Sequence, residues 1–453
     1  MKRVHRIVKN IYLVSIITIW LISAVAVCTT MYTELNLIQQ LKNDMITSEE
    51  KTNISKIYII SIQDPFVEQL LNELTAKNIT IIQSSVFNES LAKESNVTMI
   101  SFSWLKIQNR DTLRNIEKFI FSGQMIIFFG PELYNIYEKL NATVIQENFA
   151  VFPGFITKNN TIKMFVPENL ISIAFMVFPK KENQTRYITN QFYLVGPLNV
   201  KTIISHLFEW FEIATSERDE FLKVTTKAKK KLHNTDITPS GWDSYVGSLG
   251  WYDSSVYWGS THVGTQWVRT KYWYELSDSR PEQWRYFLVH TYHQLDPTVY
   301  WSAPYKTITG VDCDTDNKPG QILDDWGPKN WGGPGGEIEF GVTISEGGAS
   351  AYVSYSFSAD TLSWGDLTSA GLGVHEVEHK FYTLTYIPYG YTATVEPTTI
   401  FFEDNTKDGG EEPLEIVHFA EGTFYLGVGP LGVLVTTSIT FSALVYSNRV
   451  YSG

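Results

Sequence analysis

The pattern with the sharpest chemical meaning is His375-Glu376-Val377-Glu378-His379. On a helix, two histidines one turn apart bind one zinc ion, and the glutamate between them polarises the metal-bound water. Here the flanking residues indicate a strand and a turn, and on a strand the two histidines would lie about 13 Å apart, too far for one zinc ion. A surface zinc metallohydrolase with zinc ligands His375 and His379 and catalytic Glu376 is therefore the alternative to a protein without catalytic activity.

A second group of possible metal ligands is a run of alternating carboxylates. Asp312, Asp314 and Asp316 occupy positions 1, 3 and 5 of a calcium-type loop. Position 12 is Leu323 instead of the glutamate of an EF-hand. The pattern leaves calcium as a candidate cofactor, in a looser site than an EF-hand.

The amino terminus carries a basic stub, residues 1–10, followed by an uncharged apolar run at residues 11–31. Twenty-one uncharged, mostly apolar residues are enough for a helix to cross a bilayer, and the preceding basic residues place the stub in the cytoplasm. A cleaved signal sequence is the alternative, because Ala24-Val25-Ala26 resembles a cleavage site. The run predicts a single-pass cell-membrane protein, held by this helix as a signal anchor, with most of the chain outside the cytoplasm.

Seven Asn-x-Ser/Thr sequons support an extracellular glycoprotein. They all precede residue 186 and begin at Asn53, Asn78, Asn88, Asn96, Asn141, Asn159 and Asn183.

Residues 52–215 predict an α/β domain outside the cytoplasm. Apolar strands at 56–62, 79–82, 97–102 and 125–129 alternate with amphipathic helices, as in a parallel sheet covered on both faces. The helix and strand at 113–130 (LRNIEKFIFSGQMIIFFG) resemble those preceding the nucleophile in class I glutamine-amidotransferase-like, flavodoxin-like domains. The resemblance covers about residues 52–140. It implies a degenerate, non-catalytic relative, because no cysteine follows that strand.

Residues 216–240 form a predicted basic linker, and charge changes sign across it. Residues 1–235 hold 26 basic and 21 acidic residues, whereas 236–453 hold 10 and 27. The acidic half would repel phosphate backbones, which excludes nucleic acid as a partner.

Residues 241–453 predict an antiparallel β-sandwich domain. Alternating patterns favour one hairpin from 268–276 and 284–293, and a second from 338–344 and 351–357. The uncharged stretch 422–448 favours two strands over a second membrane span, because glycines and alternating threonines interrupt it.

Ten of the thirteen tryptophans lie at 242–364, and such residues fill sandwich cores more often than they bind ligands. We expect a non-catalytic binding, adhesion or envelope-structural role, with a glycan or protein as the possible partner of the aromatic-rich domain.

Overall fold

The computed structural model gives a backbone path for most of the chain after residue 53. It describes residues 54–157, 159, 161–181, 184–224, 244–274, 284–299, 301–312, 321–327, 337–343, 352–358, 362–366, 376–383, 392–404, 413–427 and 432–446.

The first segment alternates strands and helices. Its strands are β1 (Lys56–Ile60), β2 (Thr80–Ser84), β3 (Val97–Ser101) and β4 (Met125–Phe129). Its helices are α1 (Pro65–Thr75), α2 (Glu89–Lys93), α3 (Phe102–Lys106), α4 (Arg110–Ile120), α5 (Ile136–Lys139) and α6 (Ala142–Asn148). The four strands run parallel in the order β2-β1-β3-β4. Every residue of β3 and β4 is buried, which explains the unbroken apolar sequence of β4 and the mostly apolar sequence of β3.

Local sequence sets the start of α1. The carboxylate of Asp64 accepts a hydrogen bond from the Phe66 N–H at 2.8 Å, and Pro65 occupies the first turn. Val67, Leu70 and Leu74 then bury one face of the helix.

The same sheet continues into the second half of the chain. The added strands are β7 (Leu170–Val177), β8 (Thr189–Val195), β9 (Ser244–Trp258), β10 (Thr261–Tyr274), β11 (Trp284–Pro297), β13 (Gln321–Gly327), β18 (Ala393–Val395) and β19 (Thr398–Asp404). The full order is β13-β19-β11-β10-β9-β8-β7-β4-β3-β1-β2, with β18 beside β11. β8 pairs in parallel with β9 over seven residues.

This continuity corrects the predicted fold class. We expected an anchored α/β domain followed by a separate all-β sandwich, but one mixed twelve-stranded sheet contains strands from both segments. The reason is that β8 pairs with β7 on one side only, so its other edge has free backbone N–H and C=O groups. β9 forms hydrogen bonds with these groups and extends the sheet. Strand periodicity in the sequence does not identify that partner.

A second sheet of seven antiparallel strands packs against part of the first. Its strands are β5 (Val151–Ile156), β6 (Ile162–Met164), β12 (Ser302–Asp312), β16 (Leu362–Asp366), β17 (Glu376–Thr383), β20 (Leu414–Leu426) and β21 (Val433–Val445), in the order β16-β17-β12-β20-β21-β5-β6. Trp251 of β9 and Phe441 of β21 stack between the sheets with ring centroids 5.1 Å apart. A two-stranded ribbon, β14 (Glu337–Thr343) with β15 (Tyr352–Ser358), completes the described strands.

A long helix, α7 (Val200–Val224), covers the other face of the first sheet. Its Trp210 stacks on Phe192 of β8 with ring centroids 5.4 Å apart, and both side chains are buried. The middle of the large sheet is therefore buried on both faces.

Several sequence predictions are confirmed at the level of strands. β10 pairs with β11, β14 pairs with β15, and the uncharged stretch forms the antiparallel pair β20 and β21.

The predicted attachment to a membrane is corrected. In the part of the chain that the structure describes, no helix combines the length and the apolar character needed to cross a bilayer. The run 11–31, from which the signal anchor and the single-pass cell-membrane location were predicted, lies outside the described residues.

Candidate functional site

A cleft of about 460 Å³ opens between the two sheets. Its walls come from the second half of β9, the first half of β21 and the segment between β6 and β7. The lining residues are Phe165, Pro167, Asn169, Val195, Trp251, Asp253, Ser255, Val256, Tyr257 and residues 435–440.

Six consecutive residues of β21 line this cleft, although side chains of a strand alternate between its two faces. An unbroken run therefore indicates that the strand turns its backbone edge towards the cleft. The pairing agrees: on this side of β21, β5 pairs only with Ala443–Val445, and no other described strand pairs with Val433–Ser442. We call Val433–Ser442 the open edge.

β5 pairs with β21 over three residues only. The last of them, Pro153, lies opposite Ala443, and its carbonyl accepts a hydrogen bond from the Phe165 N–H on the side of β6. The next residue, Gly154, pairs with Met164 of β6, and an added Cβ there would lie 2.9 Å from the Lys163 carbonyl oxygen. The chain thus turns towards β6 and leaves the preceding ten residues of β21 without a partner on that side.

Asp253 holds the open edge against β9. Its Oδ2 accepts a hydrogen bond from the Thr437 hydroxyl at 2.6 Å, and its Oδ1 accepts one from the Ser255 N–H at 2.8 Å. The Ser255 hydroxyl also donates to Oδ1. Because the side chain is 4% exposed, these bonds compensate the loss of water around the carboxylate.

An aromatic stack forms the floor of the cleft. Trp251 stacks on Tyr193 with ring centroids 4.2 Å apart, and the edge of Phe165 packs on it at 5.7 Å. The indole N–H of Trp251 is buried and has no hydrogen-bond partner among the described residues.

This arrangement is suited to binding. Among the described residues that line the cleft, Asp253 is the only carboxylate, and it already accepts three hydrogen bonds. These described residues include no histidine, cysteine, lysine or arginine, so they offer no pair of groups for acid–base or nucleophilic catalysis.

The predicted zinc residues fall on an extended strand. Glu376 and His379 lie in β17, where His379 pairs with Thr309 on one side and Asp366 on the other. The helical turn that zinc chemistry requires is therefore absent from this segment. His375 lies outside the described residues.

The predicted calcium residues are mostly outside the description as well. Asp312 ends β12, while Asp314 and Asp316 lie beyond it in residues that the structure leaves out. Among the described residues, no group of three His, Cys, Asp or Glu side chains could hold a metal ion.

Nothing in the structure supports the predicted glycoprotein, and some sequon asparagines have a local structural role. The side chains of Asn88 and Asn141 cap helices α2 and α6, and that of Asn96 accepts the backbone N–H groups of Ser55 and Lys56. Capping accounts for asparagine at such positions without a glycan. Asn78 and Asn159 are exposed, and Asn53 and Asn183 lie outside the described residues.

A separate polar cluster ties α7 to the large sheet. Glu217 on α7 lies 2.5 Å from Arg269 Nη2 and 2.7 Å from Lys271 Nζ, both on β10. Burial alone would raise the pKa of Glu217, but the two cations outweigh it and lower the pKa to about 2. Asn190 and Tyr245 donate further hydrogen bonds to the same carboxylate. This cluster fixes the helix on the sheet.

Polar side chains are also buried between the sheets. Tyr272 OH lies 2.8 Å from His418 Nε2, and His418 stacks on Phe441. His293 lies 2.9 Å from Gln266 on the neighbouring strand. Burial lowers the pKa of each histidine to about 3, so both are neutral at physiological pH.

The cleft was not predictable from the sequence. One available signal was Asp253, the only charged residue within 244–268, placed before two serines in an apolar strand. An isolated carboxylate on a strand usually has a specific partner. No residue in the sequence of the open edge gave a comparable signal, because the open edge exists only where β5 has stopped pairing with β21.

Comparisons with known proteins identify no family. No family model matches the chain, and no curated protein matches its sequence. Among solved structures, a pore forming protein gives a TM-score of 0.26 at 8% identity, covering 44% of this chain and 95% of its own. The Clostridium perfringens NetB toxin in its membrane inserted form gives 0.20 at 8%, covering 44% and 96%.

Proposed function

We propose that this protein is a non-catalytic binding protein that takes up an extended polypeptide segment of a partner along the open edge of β21. The observation that carries the proposal is the ten-residue strand edge beside a cleft, with no described strand pairing to it. Unpaired N–H and C=O groups on such an edge form hydrogen bonds with an added strand.

The dimensions of the edge fit this mode. Ten strand residues extend over about 33 Å, and alternate residues direct both backbone groups outward. Thr436, Ser438 and Thr440 are exposed, so they could contact side chains of the added strand. The edge contains no charge, whereas exposed edges that avoid pairing often carry lysine or another charged residue.

A polypeptide fits the cleft better than a glycan. Sugars bind to the flat faces of exposed aromatic rings, but Trp251 at the floor is only 1% exposed and both of its faces are stacked. The open edge therefore offers a ligand more backbone hydrogen bonds than the cleft offers aromatic ring faces. The parallel order β2-β1-β3-β4 with flanking helices also supports a degenerate flavodoxin-like relative as the scaffold on which the binding half is built.

Selection from a display library of random nonapeptides tests the proposal. We expect selected peptides with alternating polar and apolar residues. Their binding should be lost in Thr440→Lys, which places a charge on the open edge, and kept in Thr80→Lys, which changes an exposed threonine on edge strand β2. Enrichment of peptides that bind Thr440→Lys equally well, or no enrichment at all, contradicts the proposal.

A further inference from the structure

Three turns meet at one end of the two-sheet region. They are the β9–β10 turn at 257–262, the β11–β12 turn, described at Thr298, Val299 and Trp301, and the β20–β21 turn, described at Gly427 and Gly432–Leu434. We call these residues the tip.

Direct contacts hold the turns together. Trp258 packs edge-on against Trp301 with ring centroids 5.9 Å apart, and the Gly427 N–H donates to the Trp301 carbonyl at 3.1 Å. The Thr298 hydroxyl donates to the His262 carbonyl at 2.6 Å. The tip is therefore one surface, and its side chains have fixed positions relative to one another.

Large apolar side chains are exposed across this surface. Trp258 is 51% exposed, Leu434 53%, Val433 47% and Tyr257 39%. Single exposed apolar residues are common on any protein, but these four side chains are concentrated on two adjoining turns, and concentrations of exposed apolar surface mark interaction sites.

The tip also lacks formal charge. No Asp, Glu, Lys or Arg occurs in 254–268, 297–305 or 422–448, although charged residues make up 19% of the chain. Burial lowers the pKa of His262 below its ordinary value, so it remains neutral at physiological pH. An exposed surface without charge loses no ion solvation when it enters a less polar environment.

We propose that the tip docks onto the lipid–water interface of a membrane composed of neutral, zwitterionic lipids. Tryptophan and tyrosine favour this interface because their rings are apolar and each carries one polar group that stays near the headgroups. The tip consists of turns at the end of the sheets, so several turns can contact a lipid surface at the same time. Its lack of charge matches a zwitterionic surface and gives no attraction to an anionic one.

Flotation of the whole protein with phosphatidylcholine vesicles tests this inference. We expect the protein to float with these vesicles. The floating fraction should be equal at low and high salt, and it should not increase when phosphatidylserine is added. Replacing exposed apolar groups in Trp258→Ser/Leu434→Ser should reduce partitioning by about tenfold or more.

The matched control is Val86→Ser/Ile107→Ser. It removes two side chains that are 67% and 69% exposed but lie in the first segment of the chain, so flotation should be unchanged. Thr440→Lys should also float like the wild type, although it is expected to lose peptide binding. Flotation and peptide binding can therefore fail independently, which separates this inference from the proposed function. Wild-type protein that stays unbound, equal flotation of the tip variant, or binding only to anionic vesicles overturns it. A concentration-dependent dimer that the tip variant loses, without vesicle binding, overturns it in favour of a second copy as the partner.

Discussion

The Thr437 hydroxyl on β21 donates a 2.6 Å hydrogen bond to the carboxylate of Asp253 on β9, and this bond joins the two sheets at the cleft. It fixes the open edge at a defined distance from the opposite wall. An edge held in position binds an added strand at a lower entropic cost than a mobile edge, because its backbone loses less conformational freedom on binding.

Asp253→Ala should loosen the edge. The change leaves the Thr437 and Ser255 donors without their acceptor, so we expect a loss of about 1–3 kcal/mol in the free energy of unfolding. Amide hydrogen exchange over Val433–Ser442 should become faster. Thr437→Val removes only one of the donors and should have a smaller effect. Unchanged exchange in Asp253→Ala would show that the bond does not position the edge.

Glu217→Gln should destabilise the protein more strongly. The substitution leaves Arg269, which is 10% exposed at its side chain, and Lys271 without their anion, and breaking a buried ion pair costs about 3–5 kcal/mol. Glu212→Gln, an exposed position on the same helix, should change stability by less than about 0.5 kcal/mol. Urea unfolding of both variants measures the difference. Equal effects would contradict the assigned role of the cluster.

Acid should destabilise the protein through its buried histidines first. His418 and His293 have a pKa of about 3 in the fold against an ordinary value of 6.5. Their neutral forms stabilise the fold above pH 6.5, and this contribution is lost as pH falls from 6.5 towards 3, by about 1.4 kcal/mol per pH unit for each histidine. His418→Leu should reduce the slope of unfolding free energy against pH by about one proton between pH 6 and 4.

Glu217 adds a second window at lower pH. Its folded pKa of about 2 lies below the ordinary 4.5, so its contribution is complete above pH 4.5 and is lost as pH falls towards 2. In His418→Leu, the slope of unfolding free energy against pH should therefore still rise below pH 4.5. In Glu217→Gln, this rise below pH 4.5 should be missing. A pH profile with the same slope in all three proteins would contradict both assignments.

Close packing between the sheets makes Gly264 sensitive to substitution. An added Cβ would lie 2.5 Å from ring atoms of Phe424, which is fully buried. Gly264→Ala should lower the free energy of unfolding by about 1–3 kcal/mol. Adding Phe424→Leu should make the alanine less costly than it is in the wild-type background. A double-mutant cycle without coupling would show that the two positions do not press on each other.

Much of the local structure was predictable from the sequence. Asp64 and Pro65 start α1 as expected, the apolar run Met125–Phe129 is β4, and the alternating residues 433–445 form β21. These features depend on neighbouring residues, which periodicity and capping describe well.

The joining of the segments and the cleft were not predictable. The sheet continues because β8 pairs with β9, a strand that follows it only after α7 and residues 225–243 in the sequence. The open edge exists because β5 stops pairing with β21 at Pro153. Both results depend on which strands meet in space. The HExxH pattern differs from these two, because its flanking residues already indicated a strand, and Glu376–Thr383 is the extended strand β17.

Amide hydrogen exchange on the protein saturated with a selected peptide tests the central claim most directly. If the peptide adds as a strand, alternate amides within Val433–Ser442, those directed towards the cleft, should exchange much more slowly than in the free protein, while the amides of β2 stay unchanged. Unaltered exchange along Val433–Ser442 in the saturated complex, or protection confined to another part of the protein, would contradict binding at the open edge.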